Sequence, residues 1–331
     1  MSDYKGVAIF AEIKDSRLSS AARELLSCGR SLADDLQQEL GAIIAGNNID
    51  GPAQEAVAAG ADKVYIIESP LLEPYQADAC VNVLSKAVET IKPDILLISQ
   101  TAIGRDLAPA LAFKLGTAVT TDCIELAIDP DSKKLLQTRP VYGGNAMAVF
   151  ATDCYPQIAA IRPKVYQPLE ADTSKQGKII HLDAGLQAED IRTKIIEQVK
   201  QAREGIRLED AAVVVAGGRG IGSIEGFRQI EELAILFRGA TGATRPPCDN
   251  GWVADSAQIG LTGKIIAPEL YLAIALSGSS QHISGCSGAK NIIAVNKDAE
   301  ANIFNFARFG IIGDWKKVIP AFNARVKELL G

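Results

Sequence analysis

The chain has 331 residues, a hydrophobic fraction of 47%, an aromatic fraction of 5% and a formal net charge of −6. This length favours two domains, and cores built from Ala, Ile, Val, Leu and Gly are typical of α/β proteins with buried parallel strands. The sequence has no basic arm or stripe, which argues against nucleic-acid binding, and no apolar run of the roughly 18 residues that a membrane span needs.

The N-terminus and the cysteines indicate a cellular compartment. A strand begins at Val7 with acidic residues nearby, which fits neither a secretory signal nor an Arg-rich transit peptide. The six cysteines include no CxxC pair, so zinc or iron–sulfur ligation within the chain is not favoured. We therefore expect a cytoplasmic, prokaryotic protein with ordinary buried thiols, of which only Cys286 lies beside the proposed crevice.

Strands and helices alternate in the first part of the chain. The predicted strands cover 6–11, 41–45, 63–67 and 94–99. The predicted helices cover 16–40, 52–59, 75–91 and 104–115. This alternation predicts a doubly wound parallel sheet.

The pattern changes near Cys123, where strands follow one another without helices. We expect them at 122–128, 133–140, 145–151 and 157–162, as an antiparallel extension of the first domain. Tyr142, in a Gly-Gly turn, is either a surface contact or an incidental exposed aromatic. Residues 165–187 are weakly patterned, and 188–202 have the pattern of an amphipathic helix. We place the domain boundary there, giving a first domain 1–205 that contacts a partner and a second domain 206–331.

The second domain opens with an apolar run at 211–216, a glycine-rich turn at 217–222 and a helix through Phe237. Such a turn either presents its amides and helix N-terminus to a phosphate or only lets strand and helix pack closely. Strict motifs are absent, because the GxGxxG spacing from Gly218 ends on Ser223 and Gly263-Lys264 does not belong to a P-loop.

Two further strands lead into polar residues, as at the ligand crevice of an open parallel sheet. One precedes Ser277–His282, and the other is 291–296. Prolines predict that Arg245 lies in a stiff extended segment, where it either contacts a ligand or is solvated. His282 is interpreted as functional or structural, whereas His181 fits a structural role.

The second half carries a series of motifs in fixed order. They are Ala216–Gly220, Gln258–Lys264, Ala267–Tyr271, Ser277–His282, Asn296–Asp298 and Gly313-Asp314. With Ser99–Leu115 and Tyr142–Asn145 in the first half, they resemble the alpha subunit of electron transfer flavoprotein over essentially the whole chain. One departure is Leu261, at a position where the family commonly has glutamine near the flavin.

This resemblance implies a Rossmann-like C-terminal domain that binds FAD and a heterodimer with a beta subunit, which holds AMP or a second FAD. It implies a redox carrier without a bound organic substrate of its own. Electrons would pass from flavin dehydrogenases, such as the acyl-CoA dehydrogenases of fatty acid oxidation, to a quinone reductase. The alternative is the electron-bifurcating branch, which uses NADH and a separate ferredoxin.

The resemblance also implies the roles of individual residues. Arg245 and His282 would favour negative charge on the reduced flavin, and Thr262 would hydrogen-bond a reactive ring nitrogen. The expected cofactor-binding residues are Gly218, Arg219, Gly220, Thr244, Arg245, Gln258, Ile259, Gly260, Leu261, Thr262, Ser277, Gly278, Ser279, Ser280, Gln281, His282, Asn296, Asp298, Asp314 and Trp315, with no metal ligand.

Two other classes of function use the same crevice. An NAD-dependent oxidoreductase is disfavoured by the missing strict GxGxxG. A nucleotide-sensing or scaffold subunit with a vestigial flavin is disfavoured by the presence of Arg245 and His282. The visible spectrum of the purified heterodimer distinguishes these classes, because only a redox carrier has flavin absorbance.

Overall fold

The computed structural model of the protein describes residues 3–144, 146–193, 195–197 and 206–330. The chain divides into two units, Met1–Val141 with Ala146–Gln198 and Tyr142–Asn145 with Val199–Gly331. The predicted boundary between 205 and 206 adjoins residues 198–205, which lie outside the described residues, and it stays a prediction.

The described residues of the first unit form a seven-stranded parallel sheet, a three-stranded antiparallel sheet, a two-stranded antiparallel hairpin and four α-helices. Its strands are β1 (Val7–Phe10), β2 (Ile13–Lys14), β3 (Arg17–Leu18), β4 (Leu40–Gly46), β5 (Lys63–Glu68), β6 (Ile95–Ser99), β7 (Val119–Cys123), β8 (Glu125–Ile128), β9 (Leu135–Val141), β10 (Ala146–Phe150), β11 (Gln157–Ile161) and β12 (Lys178–Leu182). Its helices are α1 (Ser20–Leu36), α2 (Asp50–Ala58), α3 (Ala77–Ile91) and α4 (Ala102–Lys114). The predicted fold class, a parallel sheet with an antiparallel extension, is confirmed.

Seven strands form the parallel sheet in the order β12-β5-β4-β1-β6-β11-β7, and both faces of this sheet are covered. Along β1, Val7 and Ile9 enter one hydrophobic core, while Ala8 and Phe10 enter the other. A strand buried on both faces must be apolar at every position, which explains the continuous apolar runs in the sequence.

Three predictions for the first unit are wrong in part. The antiparallel sheet contains only β8, β9 and β10, whereas β11 is fully buried and lies between β6 and β7 in the parallel sheet. The weakly patterned segment 165–187 contains the edge strand β12, in which Ile179, Ile180 and Leu182 are half-buried and Lys178 and His181 are exposed. The predicted helix 188–202 is a 3-10 turn at Ala188–Asp190 followed by non-helical residues at 191–193 and 195–197, and its remainder lies outside the described residues.

The second unit is built on a five-stranded parallel sheet. Its strands are β13 (Val213–Gly217), β14 (Ala240–Ala243), β15 (Leu270–Ile274), β16 (Asn291–Asn296) and β17 (Phe309–Ile312). Its helices are α5 (Ile224–Leu236), α6 (Arg245–Asp249), α7 (Ser280–Cys286) and α8 (Trp315–Leu330). None of the described helices in either unit is long and apolar enough to cross a membrane.

The strand order in this sheet is β14-β13-β15-β16-β17, which is a doubly wound arrangement. Val214 and Ala216 enter one core and Val215 the other, so β13 is also buried on both faces. The long helix α5 begins where the Ser223 side chain accepts a hydrogen bond from the amide of Gly226 at 3.2 Å.

Candidate functional site

One edge of the second sheet collects the residues expected to bind a cofactor. Because β13 to β17 run parallel, their carboxyl ends meet at that edge. The direction of winding reverses between β13 and β15, which is where such sheets form a ligand crevice. Predicted residues stand at or just after all five strand ends: Gly218–Gly220 after β13, Thr244 and Arg245 after β14, Ser277–His282 after β15, Asn296–Asp298 at β16, and Asp314 and Trp315 after β17.

The glycine-rich turn after β13 packs against the backbone that follows β15. The amide of Gly218 donates to the Ile274 carbonyl at 2.9 Å, and the amide of Gly220 donates to the Ala275 carbonyl at 3.2 Å. A Cβ added at Gly218 would lie 2.4 Å from the Ala275 carbonyl oxygen. Packing within the chain therefore requires these glycines and occupies their amides. The side chain of Arg219 in this turn is exposed, so its guanidinium group is accessible to a ligand.

Arg245 does not lie in an extended segment, which corrects the prediction from its prolines. It is the first residue of the short helix α6, after an extended Thr244. Pro246 and Pro247 fit the first turn of a helix, where the missing amide hydrogens have no intrahelical acceptor. Its side chain is 66% exposed, and the guanidinium Nε lies 3.3 Å from the carboxylate of Asp249, four residues later. Arg245 is thus a surface cation available at the end of β14.

The loop 258–264 is hydrogen-bonded both to the end of β14 and to helix α7. The amide of Ile259 donates to the Ala243 carbonyl at 2.9 Å, and the amide of Leu261 donates to the Gln281 carbonyl at 2.8 Å. Gly260 has a φ of +146°, and a Cβ there would lie 2.8 Å from the Gln281 carbonyl oxygen. This close approach fixes the loop at the crevice.

Thr262 keeps a free donor at the tip of this loop. The Nε2 of Gln258 donates to the Thr262 hydroxyl oxygen at 2.9 Å, so the hydroxyl retains its own proton for another acceptor. The neighbouring Leu261 side chain is 59% exposed, so a large apolar surface stands where the related family commonly places glutamine.

His282 is buried, with both ring nitrogens engaged by the protein. Its Nδ1 lies 3.0 Å from the Ile259 carbonyl oxygen and its Nε2 lies 2.7 Å from the Tyr271 hydroxyl. A carbonyl oxygen can only accept, so Nδ1 carries the proton and Nε2 accepts from Tyr271. Burial lowers the pKa of His282 from 6.5 to about 4, so the ring is neutral at pH 7. In this arrangement Nδ1 is engaged by loop 258–264 and Nε2 by β15, and the expected contact of His282 with the flavin stays a prediction.

The segment between β15 and α7 offers hydroxyl groups at the same edge. Ser277 and Ser279 are exposed, and their hydroxyls form no hydrogen bond with the described residues. Gly278 has a φ of +76°, and a Cβ there would lie 2.4 Å from the backbone nitrogen of Ile303. The glycine lets the segment turn tightly while the two serines face solvent.

A cavity of about 170 Å³ lies at the ends of β15, β16 and β17. Its walls include Gly220, Asn296, Asp314 and Trp315, and the indole of Trp315 donates to the Gly220 carbonyl at 3.1 Å. The amide group of Asn296 is already used, because its Nδ2 donates to the Leu276 carbonyl and its Oδ1 accepts from the Asp298 amide. Asn296 and Trp315 therefore shape this cavity through contacts within the chain.

Two lysines of this cavity wall were not identified as site residues from the sequence. Lys297 and Lys316 both line it, and each follows a strand end. In the Asn296-Lys297-Asp298 motif, the amide and the carboxylate were the groups expected to contact the cofactor. A single lysine in a sequence carries little signal of its own. Together with Arg219 they bring positive charge to this part of the edge.

These features suit FAD. The edge offers cations for a pyrophosphate, free hydroxyls at Ser277 and Ser279, a cavity between strand ends and a donor at Thr262 for a ring system. The cofactor-binding roles of the residues expected from the sequence remain predictions, whereas their collection at one edge of the sheet is an observed geometry.

Comparisons with known proteins agree with this arrangement. The family called electron transfer flavoprotein domain matches residues 7–186, and the family called electron transfer flavoprotein FAD-binding domain matches residues 207–287. The second match includes the ends of β13, β14 and β15 together with loop 258–264.

Whole-length relatives point to the same family. The chain is 42% identical over 330 residues to the electron transfer flavoprotein subunit alpha of Thermoanaerobacterium thermosaccharolyticum, covering 99% of this chain and 100% of the relative. It is 41% identical to the subunit alpha of Megasphaera elsdenii, covering 100% and 99%. It is 38% identical to Protein FixB of Clostridium saccharobutylicum, covering 100% and 98%.

Proposed function

The chain belongs to the electron transfer flavoprotein alpha-subunit family, and from this premise we propose that its second unit binds FAD along the carboxyl edge of β13–β17. Membership establishes electron transfer as its function and FAD as its cofactor, and it implies a beta-subunit partner and redox partners. The observation that carries the placement is the convergence of the predicted residues at all five strand ends.

We assign different cofactor-binding roles to the residues along this edge of the sheet. Arg219, Lys297 and Lys316 would hold the phosphates, and Ser277 and Ser279 would donate hydroxyl hydrogen bonds. Gly220, Asn296, Asp314 and Trp315 would shape the pocket for the nucleotide end. The bound FAD supplies the electron chemistry, while the protein positions it and tunes its potential.

The potential would be tuned by groups near the ring. Arg245 brings a permanent positive charge toward the reduced, negatively charged form. Thr262 would donate its free hydroxyl proton to a ring nitrogen, since its oxygen already accepts from Gln258. His282 would act through Ile259, as a neutral positioning residue that keeps loop 258–264 in place.

We further propose a simple carrier that accepts electrons from flavin dehydrogenases, such as acyl-CoA dehydrogenases, and delivers them to a quinone reductase. The beta subunit would complete the heterodimer and hold AMP. The electron-bifurcating alternative would use NADH and ferredoxin, with a second FAD in the beta subunit.

The number of FAD molecules in the purified heterodimer tests both levels of this proposal. One FAD per heterodimer, with flavin absorbance, is the expected result for a simple carrier. Two would indicate the bifurcating alternative. A heterodimer that has no flavin absorbance, takes up no added FAD and reduces NAD with an organic substrate would overturn the proposal.

A further inference from the structure

The first unit contains a cavity of about 360 Å³ that has no part in the proposed FAD site. It lies at the carboxyl ends of β1 and β4, and its walls include Phe10, Glu12, Leu72, Tyr75 and Ile103. β1 is the centre of its sheet, with β4 on one side and β6 on the other. The order in which the chain adds strands therefore reverses direction beside β1. In a doubly wound sheet, the ligand crevice lies at such a reversal point.

Glu12 is the chemically distinctive group in this cavity. It is 8% exposed, and its Oε1 accepts a hydrogen bond from the Thr101 hydroxyl at 2.6 Å. Thr101 is itself fixed, because its hydroxyl oxygen caps α4 by accepting from the Gly104 amide at 3.0 Å. No described residue donates a hydrogen bond to the second oxygen, Oε2. Oε2 is not among the fully enclosed oxygens that lack a partner, so it keeps accessible surface and can accept a hydrogen bond from a ligand in the cavity.

The charged groups around Glu12 determine whether the cavity favours a cation or an anion. Asp15 and Glu73 also line the cavity, and the Tyr75 hydroxyl donates to Asp106 at 3.1 Å. The thiol of Cys80 is protonated at neutral pH, since burial raises its pKa to about 11. No lysine, arginine or histidine is found among the described residues that line this cavity. The wall would repel a phosphate and attract a cation.

Ser16, Asn47 and Asn48 add neutral polar groups to the wall, and another part of it is apolar and partly aromatic. Phe10 and Leu72 are buried, and Tyr75 and Ile103 are half-buried beside them. This surface can bury a hydrocarbon or aromatic body and can contact a cation through the ring faces. A bare metal ion suits it poorly, because no group of three His, Cys, Asp or Glu side chains able to hold a metal occurs among the described residues.

We propose that this cavity binds a small organic cation, with an ammonium or amidinium head on the free oxygen of Glu12 and an apolar body against Phe10, Leu72, Tyr75 and Ile103. The head supplies the missing hydrogen-bond donor and pairs with the carboxylate. Every residue that forms this site belongs to the first unit, whereas the residues of the proposed FAD site belong to the second.

The test is calorimetric titration of the FAD-containing heterodimer with benzamidine and benzylamine, beside the uncharged benzamide. Both cations should bind at pH 8, and benzamide should bind at least about tenfold more weakly. The Glu12→Gln substitution keeps the volume and an acceptor for Thr101 but removes the charge, and should weaken benzamidine binding by about tenfold or more. The Glu73→Gln substitution, at an exposed wall residue, is the matched control and should have a smaller effect.

Two further measurements keep the test decisive. Affinity for benzamidine should increase as pH rises from 6 to 8, because Glu12, with a pKa raised to about 7, must lose its proton to pair with the cation. Ile103→Trp should block binding by filling the cavity without changing its charge. Unchanged flavin absorbance shows that each variant retains the FAD site.

The proposal is overturned if neither cation binds, if benzamide binds as tightly as benzamidine, or if Glu12→Gln leaves the affinity unchanged. Competition by AMP or adenosine with equal or higher affinity would instead identify a nucleotide or nucleoside site and would also overturn it. Loss of FAD from the second unit would not produce any of these results, so the two proposals fail separately.

Discussion

The hydroxyl of Tyr271 lies 2.7 Å from Nε2 of His282, and both side chains are buried. Because Nδ1 of the same ring donates to the Ile259 carbonyl, Tyr271 must be the donor in this pair. A neutral imidazole therefore connects the core strand β15 to loop 258–264. A proton added to this ring would place a charge in a buried site, so burial lowers the pKa of His282 and makes the stability of this contact depend on pH.

The first prediction concerns acid sensitivity at His282. Its folded pKa of about 4 lies below the ordinary value of 6.5, so its stabilising contribution is complete above pH 6.5 and is lost as the pH falls toward 4. The full loss is about 3 kcal/mol. We expect His282→Gln to flatten the dependence of the melting temperature on pH between 7 and 4.5. His181→Gln, at the exposed histidine of β12, is the control and should melt like the wild type at each pH.

The second prediction concerns Glu12, whose pKa shift has the opposite sign. Its folded pKa of about 7 exceeds the ordinary carboxyl value of 4.5, so the folded state loses stability as the pH rises from 4.5 through 7. Replacement by the neutral Gln should raise stability at pH 8 by up to about 3 kcal/mol and have little effect at pH 4.5. Thermal unfolding of the heterodimer at both pH values measures the difference. Equal effects of Glu12→Gln at the two pH values would contradict the burial of a titrating carboxyl.

The third prediction concerns the phosphate end of the cofactor. Arg219 is exposed after β13, while the amides of Gly218 and Gly220 are used within the chain. Arg219→Ala should therefore weaken FAD binding by about 1.5–3 kcal/mol, the usual loss of a charge-assisted hydrogen bond. Equilibrium dialysis of FAD from the heterodimer measures this, with Arg228→Ala on α5 as the control. Equal dissociation constants for the two variants would remove Arg219 from the phosphate site.

The observed strands show which elements of the fold the sequence could predict. Periodicity located β13, β15 and β16, because strands buried on both faces are apolar at every position. The same rule misassigned β11, since a buried strand does not reveal which neighbours it pairs with. The edge strand β12 was not predicted, because Lys178 and His181 leave only a short, interrupted apolar run within a polar segment.

For the candidate site, the sequence predicted which residues lie at the crevice but not the contacts that individual side chains form. Members of the motif series lie at the ends of β13, β15, β16 and β17, because glycines and polar residues follow strands that meet a ligand, whereas Thr244 and Arg245 after β14 were expected from the family resemblance. The state of His282 was not predictable, since it depends on Tyr271 and Ile259, which lie 11 and 23 residues away along the chain. Helix α6 was missed because Pro246 and Pro247 fit either an extended segment or a first helical turn.

The fourth prediction tests the packing of the glycine-rich turn. A Cβ at Gly218 would lie 2.4 Å from the Ala275 carbonyl oxygen and 2.5 Å from Leu276 Cα, both backbone atoms that cannot move easily. Gly218→Ala should therefore destabilise the protein by roughly 1–3 kcal/mol. At Gly51 in α2 nothing lies within 4 Å of an added Cβ, so Gly51→Ala should stabilise by about 0.5–1 kcal/mol. Unfolding of the two variants in urea compares them, and equal stabilities would contradict the close approach of the two strand-end loops.

The last prediction distinguishes Arg245 from His282 in tuning the flavin. Arg245 is always positive and its side chain is 66% exposed at the end of β14, whereas His282 is neutral and bound to Ile259. Removing a cation near the reduced ring should make the one-electron potential more negative by about 60–130 mV, because a tenfold change in equilibrium corresponds to about 59 mV. We expect this shift for Arg245→Ala, a smaller one for Thr262→Ala and His282→Gln, and none for Arg325→Ala on α8. Spectroelectrochemical titration of the four variants and the wild type measures these potentials.

A shift for His282→Gln as large as that for Arg245→Ala would mean that the imidazole leaves Tyr271 and acts on the flavin as a charge. An unchanged potential for Arg245→Ala would show that its guanidinium group remains with Asp249 and solvent.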